Sequence, residues 1–209
     1  MEVFINGCRI RPNARLEGVD KLAGENLAGM DLSGASLSRA ILRSTNFAGA
    51  NLFKAGFAQA DLRSADLSGA NLRFADLSGA DLTGANVRGA NLEGARMSHA
   101  ILTNANLSGV RLNAAQCAHV QFGGAILSGA SLFRTIATEA NFSNAHLGDA
   151  DLARGVFIGA NFVGTTLEVW RWPDAEFLNA QLPQSEESQK IGPVSPKVWS
   201  VELSGAELI

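Results

Sequence analysis

The sequence predicts an all-β solenoid whose coils are square in section. Three observations carry that prediction. Every fifth residue from Leu22 to Leu182 is apolar or nearly so, most often Leu or Phe, with no insertion in the count. Two places before it stands a small residue, usually Ala, as in Ala65-Asp66-Leu67-Ser68-Gly69. Gly is frequent two places after it, at Gly29, Gly34, Gly49, Gly69 and Gly79 among others. A period of five is neither the helical 3.6 nor the strand 2. It is met if each pentapeptide holds a short extended piece and a corner, and corners with positive φ favour Gly.

The number of pentapeptides per coil is written in the same columns. The series Gly29, Gly49, Gly69, Gly89, Gly109, Gly129 is unbroken, and Phe122, Phe142, Phe162 repeat one core position. Twenty residues, or four corners, therefore close a coil. Strand spacing of about 4.8 Å then gives about eight coils and a rod on the order of 40 Å. Burial of a Leu or Phe contributes roughly 1.5–3 kcal/mol, and about thirty such residues offset much of the ordering cost.

The units Ala70-Asn71-Leu72-Arg73-Phe74 and Ala90-Asn91-Leu92-Glu93-Gly94 resemble the A(D/N)LXX signature of the pentapeptide repeat family. The resemblance covers roughly residues 14 to 182 and implies a right-handed quadrilateral β-helix with Leu/Phe and the preceding Ala inside. It says little about function. Some members protect DNA gyrase by imitating duplex DNA, as acidic rods that dimerise at their C-terminal ends.

Element by element, residues 1–13 form an N-terminal cap. Val3 to Ile10 read as a hairpin about the Asn6-Gly7 turn. Residues 14–182 form the β-helix. Ala14-Arg15-Leu16 is one residue out of phase, so an extra residue is expected near Lys21. Trp170 replaces an inward Ala, which predicts local distortion or an outward ring, and Trp172 falls at a core position. Residues 183–209 form a polar loop and a repeat-like tail, with Val198, Leu203 and Leu208 again five apart. The tail either caps the rod or pairs with another chain.

Composition narrows the function class. The 209 residues carry a net charge of −3 and 46% hydrophobic residues, with no run of the length that spans a membrane. Residues 1–7 lack the pattern of a secretory signal, so a cytoplasmic location is expected. Cys8 and Cys117 are far apart and suggest neither a disulfide framework nor a metal motif. No Ser/His/Asp constellation, Cys/His pair or phosphate loop is evident, so no enzyme activity and no cofactor are expected.

Three outward columns are candidates for function. Phe53, Lys54, Arg73, Phe74, Arg111, Phe133, Arg134, Arg154 and Arg171 fall on one of the four faces, together with the acids Asp31, Glu93, Asp151 and Asp174. The mixed charge favours a protein partner over nucleic acid. Ile136, Val156, Ile158 and Leu178 form an apolar patch near the C-terminal end, for docking of the tail around Trp199 or for a homodimer. His99, His119 and Glu139 stack in a column and form a weak zinc candidate, since a ladder lacks a tetrahedral cup. The leading expectation is a non-catalytic structural or protein–protein interaction scaffold. The alternative is a gyrase-interacting DNA mimic, disfavoured by the weak net charge and the Arg-rich face. Metal or small-ligand binding at the histidine column is the second alternative.

Overall fold

A computed structural model describes residues 3–166 and 171–183 of the chain. Strands β1 (Val3–Ile5) and β2 (Cys8–Ile10) pair antiparallel, with Val3 opposite Ile10 and Ile5 opposite Cys8. Asn6 and Gly7 both have positive φ, 49° and 80°, as a two-residue type I′ hairpin turn requires. The Asn6 side chain donates to the Lys21 carbonyl and to the Glu25 carboxylate, which stitches the hairpin tip to the chain that follows.

Beyond the hairpin, the pentapeptides from Asn26 onward each contribute one bridging residue instead of a longer strand. The parallel bridges run twenty residues apart, from Asn26↔Asn46 to Asn161↔Gln181. The first bridge, Arg15↔Ser36, spans twenty-one. The extra residue lies between Val19 and Gly24. Val19 still receives a bond from Ile41, twenty-two residues on, whereas Gly24 already donates nineteen residues ahead to Arg43.

One unit shows how every backbone N–H is satisfied. Leu67 donates to Asn86 at 2.7 Å and Gly69 to Arg88 at 2.9 Å, both in the next coil. Asp66 donates back to Thr45 at 3.0 Å. Ala70 closes a turn onto the Leu67 carbonyl at 3.0 Å. The remaining amide, Ser68, donates to the Asp66 side chain at 2.9 Å. Hence the signature's Asp/Asn: it accepts the one amide that the coil stacking leaves over. Gly69 has φ 64° in the third place of the turn, the mark of type II.

The interior is filled. Leu22 through Phe162 at the five-residue positions are almost completely inaccessible, as are the alanines two places earlier. Phe122, Phe142 and Phe162 stack with centroids 4.8 and 4.7 Å apart, the spacing of neighbouring coils. Thr45 and Thr135 take inward alanine sites because each hydroxyl donates to a carbonyl of the preceding coil at 2.7 Å. Trp172 is half-buried against the core, edge-on to Phe177. Trp170 lies outside the described residues, as does the tail from residue 184 onward, Trp199 included. Among the described residues no helix is long and apolar enough to cross a membrane.

Candidate protein-binding face

Corners decide which side chains the rod displays. The residue two places after each core position has positive φ whether or not it is Gly: Lys54 at 56°, Phe74 at 57°, Arg134 and Arg154 at 57°. A left-handed backbone costs a side chain-bearing residue roughly 1–2 kcal/mol. These corners thus carry large side chains where Gly would sit without strain, as do corners on the other faces such as Gln59 and His99.

The nine residues of the Arg-rich set share one face. Their ladder runs Asp31, Asn51, Asn71, Asn91, Arg111, Ser131, Asp151, Arg171, each bridged to the next. Its first rungs are also tied by side chains, Asn51 donating to Asp31 at 2.9 Å and Asn71 to Asn51 at 3.1 Å. Beside this ladder stand two clusters of similar construction. In the first, Phe53 and Phe74 meet edge to face at 6.0 Å, Lys54 Nζ lies 5.2 Å from the Phe53 centroid, and Arg73 Cζ lies 5.4 Å from that of Phe74. In the second, Phe133 is flanked by Arg134 at 5.2 Å and Arg154 at 5.9 Å. Each exposed cation–aromatic contact contributes about 0.5–1 kcal/mol. The acids of this face are engaged locally. Glu93 pairs with Arg73 at 3.3 Å and Asp174 with Arg154 at 3.6 Å. Asp31 and Asp151 accept backbone amides, and the Ser33 amide holds the Asp31 carboxyl below its ordinary range.

The apolar patch is only partly open. Ile136 and Val156 are bridged neighbours, and Ile136 is 46% exposed, whereas Val156, Ile158 and Leu178 are half-buried by their surroundings.

The rings of the histidine column stack and do not converge on one point. His99 and His119 stack face to face, with centroids 4.7 Å apart and planes within 5°. In-plane nitrogen lone pairs on parallel rings cannot meet at one ion. His119 Nδ1 instead faces Glu139 at 3.3 Å. Among the described residues no three His, Cys, Asp or Glu side chains are placed to hold a metal.

Two clusters lie outside the columns singled out from sequence. On another face, Asp61 accepts from Arg63 at 2.8 and 2.9 Å and from Arg43, and these guanidiniums hold its carboxyl far below the usual range. At the N-terminal end, Arg9, Arg11 and Arg15 line a small cavity. Each was within reach of inspection: the first by the twenty-residue column rule, the second as a run of arginines without an acid between them.

Comparison with known proteins adds the lineage. The pentapeptide-repeat family model matches in eight copies, over residues 22–57, 55–94, 90–129, 115–154 and 138–168. The chain belongs to the pentapeptide repeat family. Members of that family are right-handed quadrilateral β-helices, and the twenty-residue bridges of this pentapeptide repeat protein are four of its units per turn. HetL, involved in heterocyst differentiation regulation in the cyanobacterium Nostoc sp. strain PCC 7120, is 30% identical over 83% of this chain and 84% of its own, with TM-score 0.38. QnrB1, a plasmid-mediated fluoroquinolone resistance protein, shares the fold at TM-score 0.51 and 18% identity, over 89% of this chain and 97% of its own. A pentapeptide repeat protein of the Arabidopsis thaliana thylakoid lumen is 24% identical over 55% of this chain and 74% of its own, with TM-score 0.20. No curated protein matches the chain.

Proposed function

We propose that this pentapeptide repeat protein is a non-catalytic scaffold that binds a protein partner of acidic character through the face of Phe53 and Phe133. The observation that carries the reading is the paired construction of that face, in which cations pack on surface aromatics at two places along a rigid ladder. Aromatics and Arg anchor interfaces because they bury large area and hydrogen-bond at their edges. Phe53 and Phe133 lie eighty residues, hence four coils, apart on the twenty-residue ladder. The clusters are therefore separated by on the order of 19 Å. That span fits within one standard interface of about 800 Å² per partner. Between them the corners are Gly94, overlain by the ring of Phe74, and Ala114. On this reading the rod has about eight coils and a length on the order of 40 Å.

Affinity capture with three forms of the chain tests the proposal. The wild type and an opposite-face variant, Thr103→Glu with Ser143→Glu, are expected to retain a common partner. The variant Phe53→Ser with Phe133→Ser is expected to lose it. Equal recovery by all three forms would remove the reading.

The alternative carries over to this chain the fluoroquinolone resistance of QnrB1. A DNA mimic needs a dense row of free negative charge in place of phosphates. The net charge here is −3, and Asp61, a candidate for such a row, is held by Arg43 and Arg63. A gyrase supercoiling assay with a fluoroquinolone separates the two: protection by the chain would favour the alternative, and no effect at excess protein would end it.

A further inference from the structure

We propose that the cleft at the base of the N-terminal hairpin binds a multivalent oxyanion, a phosphate or polycarboxylate group. Arg9, Arg11 and Arg15 line one cavity of about 280 Å³ together with Asn13, Ala14 and Leu16. That size is just below the roughly 300 Å³ at which pockets for drug-sized ligands begin, so it suits a small anion.

Local chain geometry explains the convergence. Arg9 belongs to β2, and Arg11 follows two residues later, the spacing that returns an extended chain to the same side. Pro12 and Asn13 then turn the chain, with Asn13 in the left-handed region at φ 56°. Arg15 bridges to Ser36 as the first rung of the ladder. Two arginines thus come from the cap and the third from the first coil. Ala14 and Leu16 are buried and form an apolar floor.

Charge points the same way. Residues 8 to 16 contain three arginines and no acid, in a chain whose overall charge is −3. The nearest carboxylate in sequence, Glu17, is absent from the cavity wall; the Ser36 hydroxyl, its own backbone amide and, least, the charge of Arg15 lower its pKa. Guanidinium groups present forked donors that match oxyanions two bonds at a time. A bound anion would also join the hairpin to the first coil, because its ligands come from both sides of the Pro12-Asn13 turn.

The test is calorimetric titration of the full chain with inorganic phosphate, pyrophosphate and citrate, against sodium chloride at matched ionic strength. Saturable one-site binding is expected for at least one of the three. Replacing Arg11 and Arg15 together by Gln is expected to weaken it about tenfold or more. Arg88→Gln, on a distant part of the rod, should leave it unchanged. Pyrophosphate binding ahead of citrate would identify a phosphate ligand, and the reverse order a polycarboxylate. Absence of saturable heat from all three probes up to about 10 mM, well beyond the millimolar range of weak sites, would overturn the proposal. So would equal affinity of the wild type and the double variant.

Discussion

The ring of Phe74 lies over Gly94, so close that a β-carbon on residue 94 would stand 2.5 Å from it. The two residues are twenty apart and occupy the same corner of consecutive coils. An exposed aromatic at one corner is therefore seated by a glycine at the next.

Replacing Gly94 by Ala should displace that ring. Gly84→Ala is the matched control: its φ is 66° against 67° at Gly94, but the nearest atom to its β-carbon is Ser64 Oγ at 3.9 Å. Both substitutions are expected to cost about 1–2 kcal/mol of stability from left-handed backbone strain. Only Gly94→Ala should also shift the Phe74 ring resonances and weaken partner binding. Denaturant midpoints and aromatic NMR spectra separate the two effects.

The phenylalanine column predicts the cost of a hole. Phe142 stacks on Phe122 at 4.8 Å and on Phe162 at 4.7 Å and is fully buried. Phe142→Ala is expected to destabilise the chain by about 3–5 kcal/mol, since a filled coil held by ladder bonds on both sides relaxes little. Equilibrium urea unfolding measures it.

Cys117 should be inert in the folded chain. It is fully buried with Sγ 4.0 Å from Met97 Sδ, and burial pushes its thiol up to about 12 from 9.0. Thiol reagents at pH 8 are expected to label it only after denaturation. The sign of the linkage follows. The unfolded thiol loses its proton above 9.0 while the folded one keeps it to about 12, so stability falls as pH rises through that interval. Cys117→Ala should remove this alkaline slope.

Asp61 gives the opposite slope at low pH. Its carboxyl is held well below 3.8 by Arg63 first, against the opposing effect of desolvation, and then by Arg43. The stabilisation is complete above 3.8 and is lost as pH falls through the depressed value. The two arginine side chains are 42% and 55% exposed, so Asp61→Asn is expected to cost less than about 1 kcal/mol at pH 7. The cost should vanish in strong acid, as chemical denaturation of both forms against pH would reveal.

The β-helix was legible because one small motif repeats without a break. Leu67, Ala70 and Gly69 each have a single geometric use, and the twenty-residue columns follow from Gly29 to Gly129. The face was legible as a set of residues but not as a set of contacts. Columns place Phe74 beside Gly94, yet they do not orient a side chain on its corner. The histidine column shows the limit: His99 and His119 are neighbours as the period requires, but the stacking of their rings depends on torsions that no spacing encodes. The N-terminal cleft was legible as a run of arginines but not as a cavity, because their convergence depends on the turn at Pro12-Asn13, which precedes the repeat.

The central claim is that a protein partner sits on the face of Phe53 and Phe133. Site-specific photo-crosslinking tests it most directly, with a photoreactive phenylalanine analogue placed in living cells at residue 74 and, as a control, at residue 103 on the opposite face. The account predicts a discrete adduct with one other protein from position 74 and none from position 103. No adduct at position 74, or the same adducts from both positions, would contradict it.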